Sequence, residues 1–237
     1  EVVAYAKKRF VEIIPEIEMP GHSVAALTAY PEYSCTGGPF EVEGRWGVFN
    51  DIYCTKESTF TFMQDILDEV VKLFPSSYIH LGGDEAPRIR WKNCVHCQER
   101  MKQEHLTKEA ELQTYFINRI ENYLNARGKK IIGWDEILEG GLAPNAAVMS
   151  WRGENGGIAA AGMGHKVVMA PNNYMYIDYY QSEDYTNEPL NIGGLVTLEH
   201  IYSYEPYTPK LTKEQCGYIM GVQANVWGEF IHHPDKV

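Results

Sequence analysis

Residues 78–85 read Tyr-Ile-His-Leu-Gly-Gly-Asp-Glu, a short apolar run, two glycines and two adjacent carboxylates. The run Tyr78–Leu81 has the composition of a strand buried on both faces, which is the habit of parallel sheets. Gly82 and Gly83 end it and let another group approach the backbone, because no Cβ intervenes. Asp84 and Glu85 then leave the strand at its C-terminal end. The same grammar repeats along the chain. Val11–Ile17 precedes Glu18 and His22, and Lys130–Trp134 (KIIGW) precedes Asp135 and Glu136. Ala147–Trp151 ends in a tryptophan, Lys166–Ala170 leads into residues 172–178, and Met220–Val226 runs into Trp227 and Glu229.

Amphipathic helices are expected between these strands. Phe62, Ile66, Val70 and Phe74 recur every four residues and predict one apolar stripe. Leu112, Phe116, Ile120 and Leu124 predict another, with Thr107 placed to cap it and Gly128 to end it. Shorter helices are expected at Ala159–Ala161 and Lys213–Ile219. Strand–helix alternation implies right-handed crossovers and either a doubly wound sheet or a (β/α)8 TIM barrel. A doubly wound sheet gathers its polar residues at one switch point beside a glycine-rich phosphate loop, and no G-x-G-x-x-G follows a strand here. A barrel draws them from the C-terminal ends of many strands, which is the pattern seen. The fold expected is therefore an α/β barrel of one domain over residues 1–237. Only six strand–helix units can be counted, so it is incomplete, with strands 3 to 8 present and the first two units and the final helix absent.

Composition narrows the function. A formal charge of −11 disfavours a polyanionic partner, so nucleic acid is not expected. No apolar run is long enough to span a membrane. With 44% hydrophobic residues the chain can bury a core, and its 16 Tyr and 5 Trp offer flat faces suited to sugar rings as well as to packing. Five cysteines leave at least one unpaired. Cys94 and Cys97 form a single C-x-x-C; a zinc site would want a second pair or well-spaced histidines, and only His96 and His105 are near. A local disulfide or two plain thiols is the expectation there, while Cys35 and Cys54 flank a glycine-rich loop that they could staple in an exported protein.

Adjacent carboxylates in different environments can divide acid and base work. On spacing alone, His80–Glu85 fits a catalytic pair, a metal site or a solvated turn. Asp135-Glu136 is a second such pair, read as a capping aspartate and a rim salt bridge.

The order of the motifs goes further. Glu16-Ile17-Glu18-Met19-Pro20-Gly21-His22, then His80–Glu85, Gly133–Ile137, Tyr176-Ile177-Asp178 and Trp227-Gly228-Glu229 resemble glycoside hydrolase family 20, the β-N-acetylhexosaminidases. The resemblance runs from about Val11 to Phe230. It implies retaining exo-hydrolysis of terminal β-linked GlcNAc or GalNAc, with the substrate's own 2-acetamido group as nucleophile and an oxazolinium intermediate. It makes Glu85 the general acid/base, Asp84 the residue that orients the acetamide, and Tyr176 its hydrogen-bond partner. Trp134, Trp151 and Trp227 would wall the pocket, Asp178 and Glu229 would bind hydroxyls, and His22 would tune the acid. The substrate implied is an oligosaccharide ending in β-linked N-acetylhexosamine, with no metal or organic cofactor. A periplasmic or secreted location is expected from the enzyme type. Two other readings are a non-catalytic glycan-binding module that keeps the pocket, and a metal-dependent barrel hydrolase built on His22, His80 and the aspartates.

Overall fold

The computed structural model describes residues 1–231, 233 and 235. It divides into two compact units, Glu1–Ala146 and Ala147–Val237.

In the first unit, strands β1 (Tyr78–His80) and β2 (Lys130–Trp134) pair in parallel, with Ile79 opposite Ile131 and His80 opposite Ile132. Val11–Ile17 makes no full strand. Its ladder is confined to residues 15–19 beside β1, where His80 N–H donates to Pro15 O (2.9 Å) and Ile17 N–H to His80 O (2.9 Å). The cause is local: Pro15 has no N–H to donate, and Val11 and Ile14 lie exposed.

Helix Glu57–Leu73 precedes β1, and helix Glu109–Asn125 lies between β1 and β2. In the first, the buried face is Phe60, Met63, Leu67 and Val70, so the expected stripe through Phe62, Ile66 and Phe74 is displaced by part of a turn. Phe60 packs on Phe116 of the second helix (ring centroids 4.9 Å), while Phe62 instead stacks on Tyr33 at 4.2 Å. Leu112, Phe116, Ile120 and Leu124 are all buried, as their spacing predicts. Burying one such side chain stabilises the fold by about 1.5–3 kcal/mol. That helix starts at Glu109, two residues past Thr107; the Glu111 carboxylate accepts from the amides of Thr107 (2.6 Å) and Lys108 (3.0 Å).

In the second unit, β3 (Ala147–Ser150), β4 (Val167–Met169) and β5 (Ile219–Val222) are parallel in that order. Helix Asn155–Gly162 packs on β3 and β4, and its Gly157 comes so close to Met169 that a side chain there would collide. The expected helix over Lys213–Ile219 ends at Cys216, and Ile219 begins β5 instead. Among the described residues, no helix is long and apolar enough to cross a membrane.

Candidate active site

Each unit carries candidate site residues of its own at the C-terminal ends of its strands. In the first, the chain leaves β1 through Gly82 (φ +67°) and Gly83 (φ +89°), and Glu85 itself holds a left-handed φ of +43°. A Cβ on Gly82 would overlap the Glu18 carboxylate, and one on Gly83 would meet Ile137 Cγ2 at 2.6 Å. Gly82 is thus the condition for Glu18 to lie against the strand end, and Gly83 the condition for Ile137 to do so. A glutamate with positive φ stores strain, which persists where the surroundings enforce it and is common at functional sites.

His22, also left-handed at φ +48°, bridges the pair: its Nε2 lies 3.2 Å from Asp84 Oδ2 and 3.4 Å from Glu85 Oε2. The hydrogen bond to Asp84 lifts the His22 pKa, against the opposing effect of burial. Burial raises Glu85 above the usual carboxylate value; the charge of His22 pulls it down and that of Asp84 pushes it up. Asp84 Oδ1 is buried with no hydrogen-bond partner among the described residues, so one acceptor of the pair remains available.

Glu16 and Glu18, which have no role assigned from sequence, form a network near this pair with His80. Glu16 Oε1 accepts from Trp134 Nε1 (2.8 Å) and lies 3.0 Å from His80 Nδ1. Its pKa ends below the usual value, because the bond and charge of His80 outweigh burial. Glu18 goes the other way: burial, followed by the negative charges of Asp84 and Glu16, pushes it up to about 10, so it is a neutral acid at pH 7. The signal available in the sequence is that Glu16 and Glu18 are two apart and so share one face of an extended chain. Trp134 joins the network through Glu16 and lies edge-on to His80, with centroids 5.0 Å apart. Asp135 and Glu136 are not on an exposed rim. Both are buried in the short 3-10 helix Asp135–Leu138, whose Ile137 seats against Gly83 and Gly133.

In the second unit, Trp151 follows β3, and Tyr176 follows the short helix Asn172–Met175. Tyr176 lies beside Asn225 through Ile177 N–H to Asn225 O (3.0 Å) and Asn225 N–H to Met175 O (2.7 Å). Its ring stacks with Trp151 at 6.2 Å and approaches Trp227 at 6.5 Å, so the structure gathers these three aromatics as one cluster. Asp178, Trp227 and Glu229 line a cavity of about 170 Å³ with Tyr179, Leu190 and Phe230. Burial raises the pKa of Asp178, and its Oδ1 has no hydrogen-bond partner among the described residues.

Among the described residues, two sets of side chains have the composition and closeness to hold a metal ion: His22, Asp84 and Glu85; and Cys35, Cys54, Cys94 and Cys97.

Parallel strand–helix units with carboxylates and tryptophans at their strand ends place the chain in the (β/α)8-barrel class, as an incomplete barrel. It belongs to glycosyl hydrolase family 20: the profile described as "Glycosyl hydrolase family 20, catalytic domain" matches residues 1–237. A β-hexosaminidase of Porphyromonas gingivalis is 51% identical over all of this chain and 30% of its own length. One from Vibrio furnissii is 33% identical over all of this chain and 39% of its own length. The solved exo-β-N-acetylglucosaminidase of Vibrio harveyi, in complex with N-acetylglucosamine, aligns at TM-score 0.84 and 30% identity over 99% of this chain and 37% of that one. The chain therefore spans between 30% and 47% of the length of these and similar curated relatives.

Proposed function

We propose that this chain is the catalytic region of a retaining exo-β-N-acetylhexosaminidase that removes terminal β-linked GlcNAc or GalNAc from glycans. The β-hexosaminidases it is similar to support the activity, and the carboxylate pair supports the mechanism. The observation that carries it is the division of labour in that pair. Asp84 uses one oxygen on His22 and keeps the other buried and available, while Glu85 is held above the usual carboxylate pKa.

In the proposed first step, Asp84 accepts the acetamide N–H and stabilises the charge that develops on that nitrogen. The acetamide oxygen attacks the anomeric carbon, the glycosidic bond breaks, and Glu85 gives its proton to the departing oxygen. In the second step Glu85, now a carboxylate, takes a proton from the water that attacks the same carbon and opens the oxazolinium ring. Two inversions give retention. An intramolecular nucleophile already has a high effective molarity, so the protein's task is to hold it. In this scheme Tyr176 hydrogen-bonds the acetamide oxygen, Trp134, Trp151 and Trp227 enclose the sugar and its N-acetyl methyl, and Asp178 and Glu229 take hydroxyls. His22 tunes Glu85. A glycan substrate suits a periplasmic or secreted enzyme.

The test compares hydrolysis of an aryl β-N-acetylglucosaminide with that of the matching β-glucoside, using the full-length protein. Strong turnover of the first and almost none of the second is the expected result. Comparable rates would mean that the protein supplies a nucleophile, and the roles given to Asp84 and Tyr176 would fall. Activity abolished by a chelator that removes a divalent cation from His22, Asp84 and Glu85 would favour a metal-dependent hydrolase instead.

A further inference from the structure

Four of the five cysteines converge in the first unit, although they come from three separate stretches of chain. Cys35 and Cys54 lie near the two ends of the long loop before helix Glu57–Leu73. Cys94 is the N-cap of helix Val95–Gln103 and Cys97 its third residue. All four sulfur atoms lie within 4.8 Å of one another. The nearest pairs are Cys54–Cys94 at 3.6 Å, Cys54–Cys97 at 3.6 Å and Cys35–Cys97 at 3.7 Å. None of the four forms a disulfide.

Those separations have a simple geometric meaning. Zinc–thiolate bonds of about 2.3 Å in a tetrahedron place neighbouring sulfurs roughly 3.8 Å apart. A disulfide needs about 2.05 Å and would join the sulfurs in pairs, whereas here Cys54 and Cys97 each face two partners. We propose that Cys35, Cys54, Cys94 and Cys97 form a structural zinc site that clamps the 35–54 loop to the helices following the catalytic carboxylates. Four protein ligands close the coordination sphere, as in structural rather than catalytic sites. On binding, the four thiols give up their protons to solvent and the metal takes four thiolates.

The surroundings favour that charge. Cys54, Cys94 and Cys97 are buried, which shields them from bulk water and from oxidants. The N-terminus of helix Val95–Gln103 carries Cys94 and Cys97, and Cys54 lies just before the start of helix Glu57–Leu73, so two helix dipoles present their positive ends to this region. The loop is also docked by other bonds: Trp91 Nε1 donates to Tyr53 O (2.8 Å) and Arg90 Nη2 to Asp51 Oδ2 (3.1 Å). The four-cysteine site shares no residue with the set His22, Asp84 and Glu85.

The decisive experiment measures metal content in the full-length protein, purified without chelator or polyhistidine tag. About one zinc per chain by mass spectrometry, with four sulfurs near 2.3 Å by X-ray absorption, is the expected result. Cys54→Ser and Cys97→Ser should lose the zinc, while Cys216→Ser should keep it. Metal-free protein in which peptide mapping finds Cys35, Cys54, Cys94 and Cys97 joined as two disulfides would overturn the site. So would reduced protein that takes up no zinc from a micromolar solution. Because the unsubstituted protein decides the matter, a variant that fails to fold leaves the test intact, and hydrolytic activity does not enter it.

Discussion

At the scale of single residues, the site is a set of carboxyl groups given different charges by their neighbours. Glu85 sits where burial raises its pKa and His22 restrains that rise. Replacing His22 with Asn should therefore move the alkaline limb of the kcat/KM profile to higher pH, because that limb reports the acid of the free enzyme. An unmoved limb would show that His22 does not act on Glu85. Glu85→Gln should reduce kcat by about 10²–10⁴ with KM little changed. Glu18 makes a prediction about stability. Its carboxyl binds a proton in the folded chain up to about pH 10 but only to about 4.5 when unfolded. The unfolded state thus binds fewer protons across that window, and stability falls as pH rises through it. Glu18→Gln removes this contribution, so the melting temperature of the variant should decline less steeply between roughly pH 6 and 9 than that of the parent. A parallel decline would mean that Glu18 titrates normally.

At the scale of elements, helix Glu57–Leu73 shows what periodicity leaves open. Apolar residues occur at both four-residue and three-residue spacings, so two overlapping stripes can be drawn on one cylinder. Tertiary packing buries Phe60, Met63, Leu67 and Val70, with Phe60 against Phe116 of the neighbouring helix, and sends Phe62 to Tyr33. Leu67→Ala should therefore cost about 2–5 kcal/mol in urea unfolding, and the half-buried Ile66 clearly less when cut to alanine. The reverse order would restore the stripe through Ile66. Strands were easier to read. Lys130–Trp134 falls where its composition puts it, since a parallel strand buried on both faces is a nearly unbroken apolar word. Val11–Ile17 has the apolar content of a strand yet forms only a short ladder, because composition does not register the donor that Pro15 lacks.

At the scale of the molecule, what could be read from the sequence was whatever lies close together along it. Asp84 beside Glu85 and the tryptophans at strand ends are local signals, and an ordered series of them identified the family. The grouping of Glu16, Glu18 and His80 under the acid pair needs the register between two segments that are far apart in sequence. The four-cysteine cluster needs even more, because its second pair is split across a loop and no ligand spacing advertises it. The overall charge of −11 belongs to this scale as well. A neutral substrate feels little of that field, so turnover of an uncharged aryl glycoside should change less than about twofold between roughly 0.02 and 0.2 M salt. A steep salt dependence would point to a charged natural substrate.

On the role proposed for Glu85, its left-handed backbone limits how a descendant of this protein can lose its chemistry. Glycine, asparagine and aspartate take up such a conformation readily, and β-branched residues do so only under strain. A lineage that gave up hydrolysis and kept the pocket as a lectin would therefore favour one of those small residues, or the isosteric glutamine, at position 85. Valine or isoleucine there would distort the turn that also places Asp84, and would lose the sugar along with the reaction.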